Sequence, residues 1–213
     1  MRNILIIGMS PGNSYFKKEI ISNILKKALL ENERIGIFIP DIPAIATYIA
    51  LGYPENIARR EKAIPQGNAF RNRIQGAILE QGIDPSRVII FDWRNENIET
   101  RPEYQESYSY VKNLYLNNED FRVDIQEATK QVLVENPFRK NDLTSANIEI
   151  GTHYIISEFA FMLFLPTYLT DYTDFTYAYH KPWPVWEKFI EGFYDNTPKL
   201  NLRFLKLPDF SVN

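Results

Sequence analysis

Four apolar residues, Ile4 to Ile7, run into Gly8, and a turn-rich loop separates them from the next patterned segment. Apolar positions then recur at 16, 20, 21, 24, 25, 28 and 29, the stripe of a helix over Phe16–Leu30. Arg34–Ile39 is a second apolar run of strand length, and Arg87–Phe91 a third. Between these two, the pattern predicts a helix from Ala44 to a stop at Gly52. A second starts near Pro54, and a third spans Asn68–Gln81 and stops at Gly82. The order β-α-β-α-α-α-β without hairpin signals implies right-handed crossovers and a mainly parallel sheet.

Beyond residue 100 the pattern predicts two helices between Pro102 and Asn136, broken around NLYLNNEDF, and an apolar helix over Asn147–Phe164. A short strand follows at Phe175–Tyr179, then a helix at Trp186–Tyr194 and an alternating strand at Asn201–Lys206. No repeat or low-complexity linker interrupts the 213 residues. The expectation is one α/β domain over 1–213, Rossmann-like, with helices on both faces of the sheet.

Composition narrows the chemistry. There is no cysteine, which removes disulfides, thiolate metal sites and cysteine nucleophiles. Two histidines, His153 and His180, argue against a zinc site. A net charge of -3 provides no global drive toward nucleic acid, so such contact needs a local patch. Tyr154–Leu169 is apolar, but it holds Glu158 and Pro166 and falls short of the roughly 20 residues of a membrane span. It reads as a core helix. Without a basic leader and cleavage site at its start, the chain is expected to be cytoplasmic.

Three constellations could carry chemistry. Ser10 lies just past the end of the first strand, where ligands of open parallel sheets bind. The loop is neither G-x-G-x-x-G nor a P-loop. It fits G-x-S-x-G in letters, yet Pro11 removes the amide that would follow a hydrolase nucleophile. Ser10 can instead be read as a helix cap, although Ser14 is better placed for that. Tyr154 and Glu158 share one helix face at i, i+4, either as an acid/base or amine-binding pair or with Glu158 reaching solvent. Tyr177 and Tyr179 share a strand face ahead of His180, as core or as site.

Together these pieces resemble the cyclodipeptide synthases. Gly8–Phe16 (GMSPGNSYF) resembles that family's motif G-[LVI]-S-x-x-N-S-x-F; Tyr154, Ile155 and Glu158 match Y-[LVI]-x-x-E-x-P, whose proline is replaced by Ala160. Asn13, Tyr179 and His180 are similar to the signature of the subgroup named for its Asn, Tyr and His. The resemblance implies a fold related to class I aminoacyl-tRNA synthetases, with no ATP motif, metal or cofactor. It also implies an aminoacyltransferase of secondary-metabolite biosynthesis. Ser10 would take an aminoacyl group from one aminoacyl-tRNA. Tyr154 and Glu158 would hold its amine, and a second aminoacyl-tRNA would extend it to a dipeptidyl-enzyme that cyclises to a 2,5-diketopiperazine. Tyr179 would complete the catalytic set, and Asn13 and His180 would fix the loop and Tyr179.

By position, Gly8, Ile6, Ile37 and Ile39 from strands and Phe159, Met162 and Leu163 from the apolar helix are expected to line an apolar substrate pocket. Backbone amides of the Gly8–Asn13 loop could bind an oxyanion. Arg59, Arg60, Lys62, Arg71 and Arg73 form the expected tRNA patch, with a solvated helix surface as the bland alternative. The resemblance implies two aminoacyl-tRNAs in turn as partners; no membrane partner is expected, and the chain is expected to be a monomer or weak homodimer. Two other readings stay open: a catalytically silent aminoacyl-tRNA or nucleotide-binding module, and a serine hydrolase or acyltransferase acting on small esters.

Overall fold

The computed structural model describes residues 2–94, 96–137, 139–140, 142–181, 183–194 and 201–207. Five strands, β1 (Asn3–Gly8), β2 (Ile35–Ile39), β3 (Val88–Asp92), β4 (Asp174–Tyr179) and β5 (Leu202–Lys206), form one sheet in the order β3-β2-β1-β4-β5. Every pairing is parallel. Strand order reverses at the β1–β4 seam, the crevice where open α/β sheets bind ligands.

Helix α1 (Lys18–Glu31) packs with α4 (Ile64–Glu80). The long helix α7 (Ser145–Tyr168) covers the opposite face of the sheet, where Phe161 stacks on Phe38 of β2 at 3.9 Å between ring centroids. It is flanked by α2 (Ala44–Ala50), α5 (Pro102–Asn117) and α6 (Glu119–Glu135). The short α8 (Pro184–Ile190) lays Trp186 flat on Phe159 of α7 at 3.6 Å. Burial between these layers accounts for the apolar character of α7, two-thirds of whose apolar window is enclosed (67%).

The elements match the periodicity, with boundaries shifted for local reasons. Helix α7 begins two residues before the expected Asn147 because Thr144 and Asn147 form a reciprocal cap. The two helices expected around Pro54 and Asn68 are one continuous rod. It starts as α3 (Glu55–Ile57), passes through a π-helical stretch at Ala58–Ala63 and continues as α4. Pro65, which has no amide proton to donate, sits where the π-helical stretch gives way to α4. It thus lies at a change of hydrogen-bonding pattern rather than inside a regular α-helical run.

Candidate active site

Strand β1 delivers the loop that carries Ser10. The Met9 amide still pairs with Phe38 O at 2.9 Å, so the chain leaves the sheet at Ser10 itself. A turn follows, closed by Asn13 N–H to Ser10 O at 3.2 Å, with Pro11 and Gly12 (φ +81) at its centre. Proline then positive φ is the type II pattern, which favours glycine at the third position. A Cβ on Gly12 would meet Gln66 Oε1 and come within 2.8 Å of Tyr48 Oη. Tyr48 and Gln66 hydrogen-bond to each other behind the loop and fix its back. Nothing in the pattern of α2 or α4 singles out either residue.

Gly8 has a different reason to be glycine. A Cβ there would overlap the Tyr177 hydroxyl and sit 2.8 Å from Tyr177 Cζ. Its absence lets the phenols of β4 come up beneath the nucleophile loop. Gly8 is thus part of the packing that shapes the site's floor.

Ser10 Oγ lies 2.8 Å from Tyr154 Oη and 3.0 Å from Tyr179 Oη. Tyr154 donates to Glu158 Oε1 at 3.0 Å, across one turn of α7. Each hydroxyl has one proton, so with Glu158 ionised the direction is fixed. Tyr179 donates to Ser10, Ser10 to Tyr154, and Tyr154 to the carboxylate. Asn13 closes the other end. Its Oδ1 accepts from Tyr15 N–H at 2.9 Å, which orients the amide so that Nδ2 points to Tyr179 Oη (3.3 Å) and His180 Nε2 (3.2 Å).

Burial sets the protonation states. Glu158 is 3% exposed, and desolvation pushes its carboxyl up to about 8, partly opposed by the Tyr154 hydrogen bond. Desolvation, with the nearby Glu158 charge, raises the Tyr154 and Tyr179 phenols above their usual range. His180 is pushed down to about 4 by burial and then by Lys181, so its ring is neutral and accepts from Asn13. It also stacks on Tyr15 at 4.7 Å. His180 therefore braces the loop and makes no bond to Ser10. His153 is exposed on α7 and bonded to Tyr108, outside the site.

A cavity of about 650 Å³ opens from Ser10, Tyr154 and Tyr179. Its walls come from the loop after β1, from Ala44, Thr47 and Tyr48 of α2, from the end of α6, and from His180, Lys181 and Trp183 after β4. The apolar lining expected from sequence is not there. Ile6 pairs with Gly36 on the α7 face, whereas Ile37, and with it Ile39, points to the opposite face because neighbouring positions in a strand alternate. All three are fully buried core. Phe159 is stacked beneath Trp186, and Met162 borders a separate cavity of about 230 Å³ with Phe175 and Leu202, toward the start of β4. Leu163 is partly buried and borders neither cavity.

The expected basic patch divides in the same way. Arg71 is committed to an ion cluster: it pairs with Asp92 and donates to Asn68 at 3.0 Å, while Arg94 bridges Asn68 and the buried Asp41. Arg71 is structural there, not a free phosphate ligand. Arg59, Arg60 and Arg73 are exposed, and Lys62 lies over the Tyr53 ring at 5.1 Å. None of the five borders the Ser10 cavity. Loop amides are also fewer than expected. Met9 and Asn13 spend theirs on Phe38 O and Ser10 O, and Pro11 has none, which leaves those of Ser10 and Gly12 among the described residues.

A Rossmann-like sheet with a serine at its switch point, held between two buried phenols and linked to a buried carboxylate, defines an α/β protein with a serine-centred site. The sequence model of the cyclodipeptide synthase family matches residues 2–201, and the chain belongs to that family of aminoacyl-transferring enzymes. It is 22% identical over 193 residues to the cyclo(L-leucyl-L-leucyl) synthase of Bacillus subtilis, covering 88% of this chain and 75% of that one. Its fold superposes on a cyclodipeptide synthase from Staphylococcus haemolyticus with a TM-score of 0.82 at 18% identity, covering 97% and 91% of the two chains. A Mycobacterium tuberculosis protein, whose structure relates these enzymes to type I tRNA synthetases, gives 0.75 at 21% identity over 95% and 84%. The enzyme from Candidatus Glomeribacter gigasporarum, solved bound to Phe-tRNA, gives 0.59 at 15% identity over 100% and 93%.

Proposed function

We propose that this chain joins two aminoacyl groups, taken in turn from two aminoacyl-tRNAs, into a cyclic dipeptide through an acyl-enzyme on Ser10. The observation that carries this reading is the hydrogen-bond relay from Ser10 through Tyr154 to Glu158. The neighbour solved with Phe-tRNA supports the substrate class.

In the first step Ser10 Oγ attacks the ester carbonyl, and its proton passes by way of Tyr154 to the Glu158 carboxylate. The bond to the ribose oxygen breaks, and the tRNA hydroxyl departs with that proton. The Ser10 and Gly12 amides are the loop donors available to the oxyanion. The α-amine of the seryl-bound residue then loses its ammonium proton to Glu158 and attacks the second ester. The peptide bond forms as the bond to the second ribose oxygen breaks, and that tRNA hydroxyl departs with the proton shed by the attacking nitrogen. Finally Glu158 gives its proton to solvent and takes one from the new α-ammonium. The amine so formed attacks the ester on Ser10, and one of its protons passes to Ser10 Oγ as the ester bond breaks and the six-membered ring closes. Both ester bonds enter already activated, so positioning, proton transfer and exclusion of water account for the chemistry.

Neither histidine bonds to Ser10, so a serine hydrolase or acyltransferase acting on small esters would have to use this same relay, and turnover without tRNA is what would single it out. The deciding experiment mixes the protein with a full set of aminoacyl-tRNAs and follows intact mass and small products. An aminoacyl adduct that is absent in Ser10→Ala, together with a diketopiperazine, is expected. tRNA binding with neither adduct nor product would support the silent module instead.

A further inference from the structure

The acyl carbon that reaches Ser10 is bonded directly to the ribose of the last nucleotide of its tRNA. That nucleoside must therefore lie within or at the mouth of the cavity that opens from Ser10. The exposed arginines of the rod from Glu55 to Glu80 do not border this cavity and cannot be its site. At about 650 Å³ the space falls in the range of sites for drug-sized ligands, more than one aminoacyl group requires.

Resting on the function proposed above, we infer that the mouth of this cavity is the binding site for the 3′-terminal nucleoside and its 5′-phosphate. Trp183 is the face for the base, and Lys17 and Lys181 are the phosphate ligands. Trp183 is half-buried and packs edge-on against Tyr179 at 5.8 Å, which puts it one ring away from the nucleophile. A base stacked on it keeps the ester at Ser10, and stacking serves any base because each has a π-face. Lys17 precedes α1 and Lys181 follows β4, so the two ammonium groups stand on the loops after the two strands that flank the switch point. Both border the cavity and both are exposed. Lys17 has no ion pair among the described residues, whereas Lys181 pairs with Glu135 at the end of α6, also on the cavity wall. Glu135 consequently tempers the rim: a phosphate must share Lys181 with it.

The test compares Ser10 acylation by an aminoacyl-tRNA with acylation by the cyanomethyl ester of the same amino acid, which has no nucleoside. The readout is the ratio of the two kcat/KM values. Trp183→Ala should lower the ratio about tenfold, the loss expected of one stacked base, and Trp183→Phe should restore most of it. Lys17→Ala with Lys181→Ala should lower the ratio and flatten its salt dependence, by about one slope unit per lost phosphate contact. Glu135→Gln, which frees Lys181, should raise it. A ratio unmoved by the tryptophan and lysine variants, or lowered by Glu135→Gln, overturns the nucleoside site alone. Wild-type protein acylated by neither substrate overturns the proposed function and this site with it.

Discussion

Ser10 Oγ stands 2.8 Å from the hydroxyl of Tyr154, a residue 144 positions away in the chain. The same phenol donates to Glu158, so the serine proton has a defined route to a carboxylate that burial has made basic. The expectations below rest on that route and on the packing that holds it.

Glu158 should act as the base in acylation. It must be ionised to accept the serine proton, and its carboxyl titrates at about 8. The kcat/KM of Ser10 acylation should therefore rise as pH is raised through about 8, since this quantity reports the free enzyme. A bound α-ammonium favours the carboxylate, so the corresponding limb of kcat should lie lower. Single-turnover rates from pH 6 to 9 check this. Persistence of the limb in Glu158→Gln would assign it to another group.

The same burial costs stability. Native Glu158 keeps its proton between about 4.5 and about 8, where the unfolded chain has lost it. The native state binds the extra proton, so stability falls across that window as pH rises, by about 1.4 kcal/mol per unit at most and a few kcal/mol in all. Glu158→Gln should thus be more stable than the wild type at pH 8 and close to it at pH 5, while losing activity. Urea unfolding at both pH values measures the difference, and equal gains at both would contradict the linkage.

Asn13 should act through Tyr179. Its amide spans Tyr15 N–H, Tyr179 and His180 and makes no bond to Ser10 Oγ. Asn13→Ala and Tyr179→Phe should each slow acylation, and the double variant should be no slower than the worse single one. That non-additivity marks residues working as a unit. Additive losses would give Asn13 an independent role.

Gly8→Ala should destabilise the fold by about 1–3 kcal/mol, the usual cost of overpacking, and slow acylation, because the new methyl overlaps the Tyr177 phenol. Adding Tyr177→Phe removes the hydroxyl that is struck first and should return part of both. If Gly8→Ala unfolds and reacts like the wild type, the floor is looser than its packing indicates.

The arginines should separate by burial. Arg71→Ala removes one of the partners of the buried Asp92, which keeps the Arg94 amide, and should cost up to about 3 kcal/mol in stability. Arg59, Arg60 and Arg73 are exposed, so their alanine variants should unfold normally. If their surface contacts tRNA, they should raise KM for aminoacyl-tRNA and flatten its salt dependence. An Arg71→Ala protein of normal stability would return that residue to the candidate phosphate ligands.

The sequence by itself determined the elements and the chemical inventory of this protein. Period and punctuation are local, so Ile4–Ile7, the stripe after Phe16 and the stop at Gly52 could be read directly. Ser10 stood out as a hydroxyl just past a strand end and Glu158 as a carboxylate in an apolar helix, while Tyr154 was drawn in by its i, i+4 spacing to Glu158 and Tyr179 by the resemblance to the family's signature. Their assembly was decided by tertiary structure. Parallel register put Ile37 and Ile39 on the face opposite Ile6 and dissolved the expected apolar pocket. The Tyr48–Gln66 brace joins two helices, and the Arg71–Asp92 pair joins a helix to a strand end. Each of these contacts depends on a crossover bringing distant residues together, and periodicity encodes which face a residue takes but not what the chain folds against it.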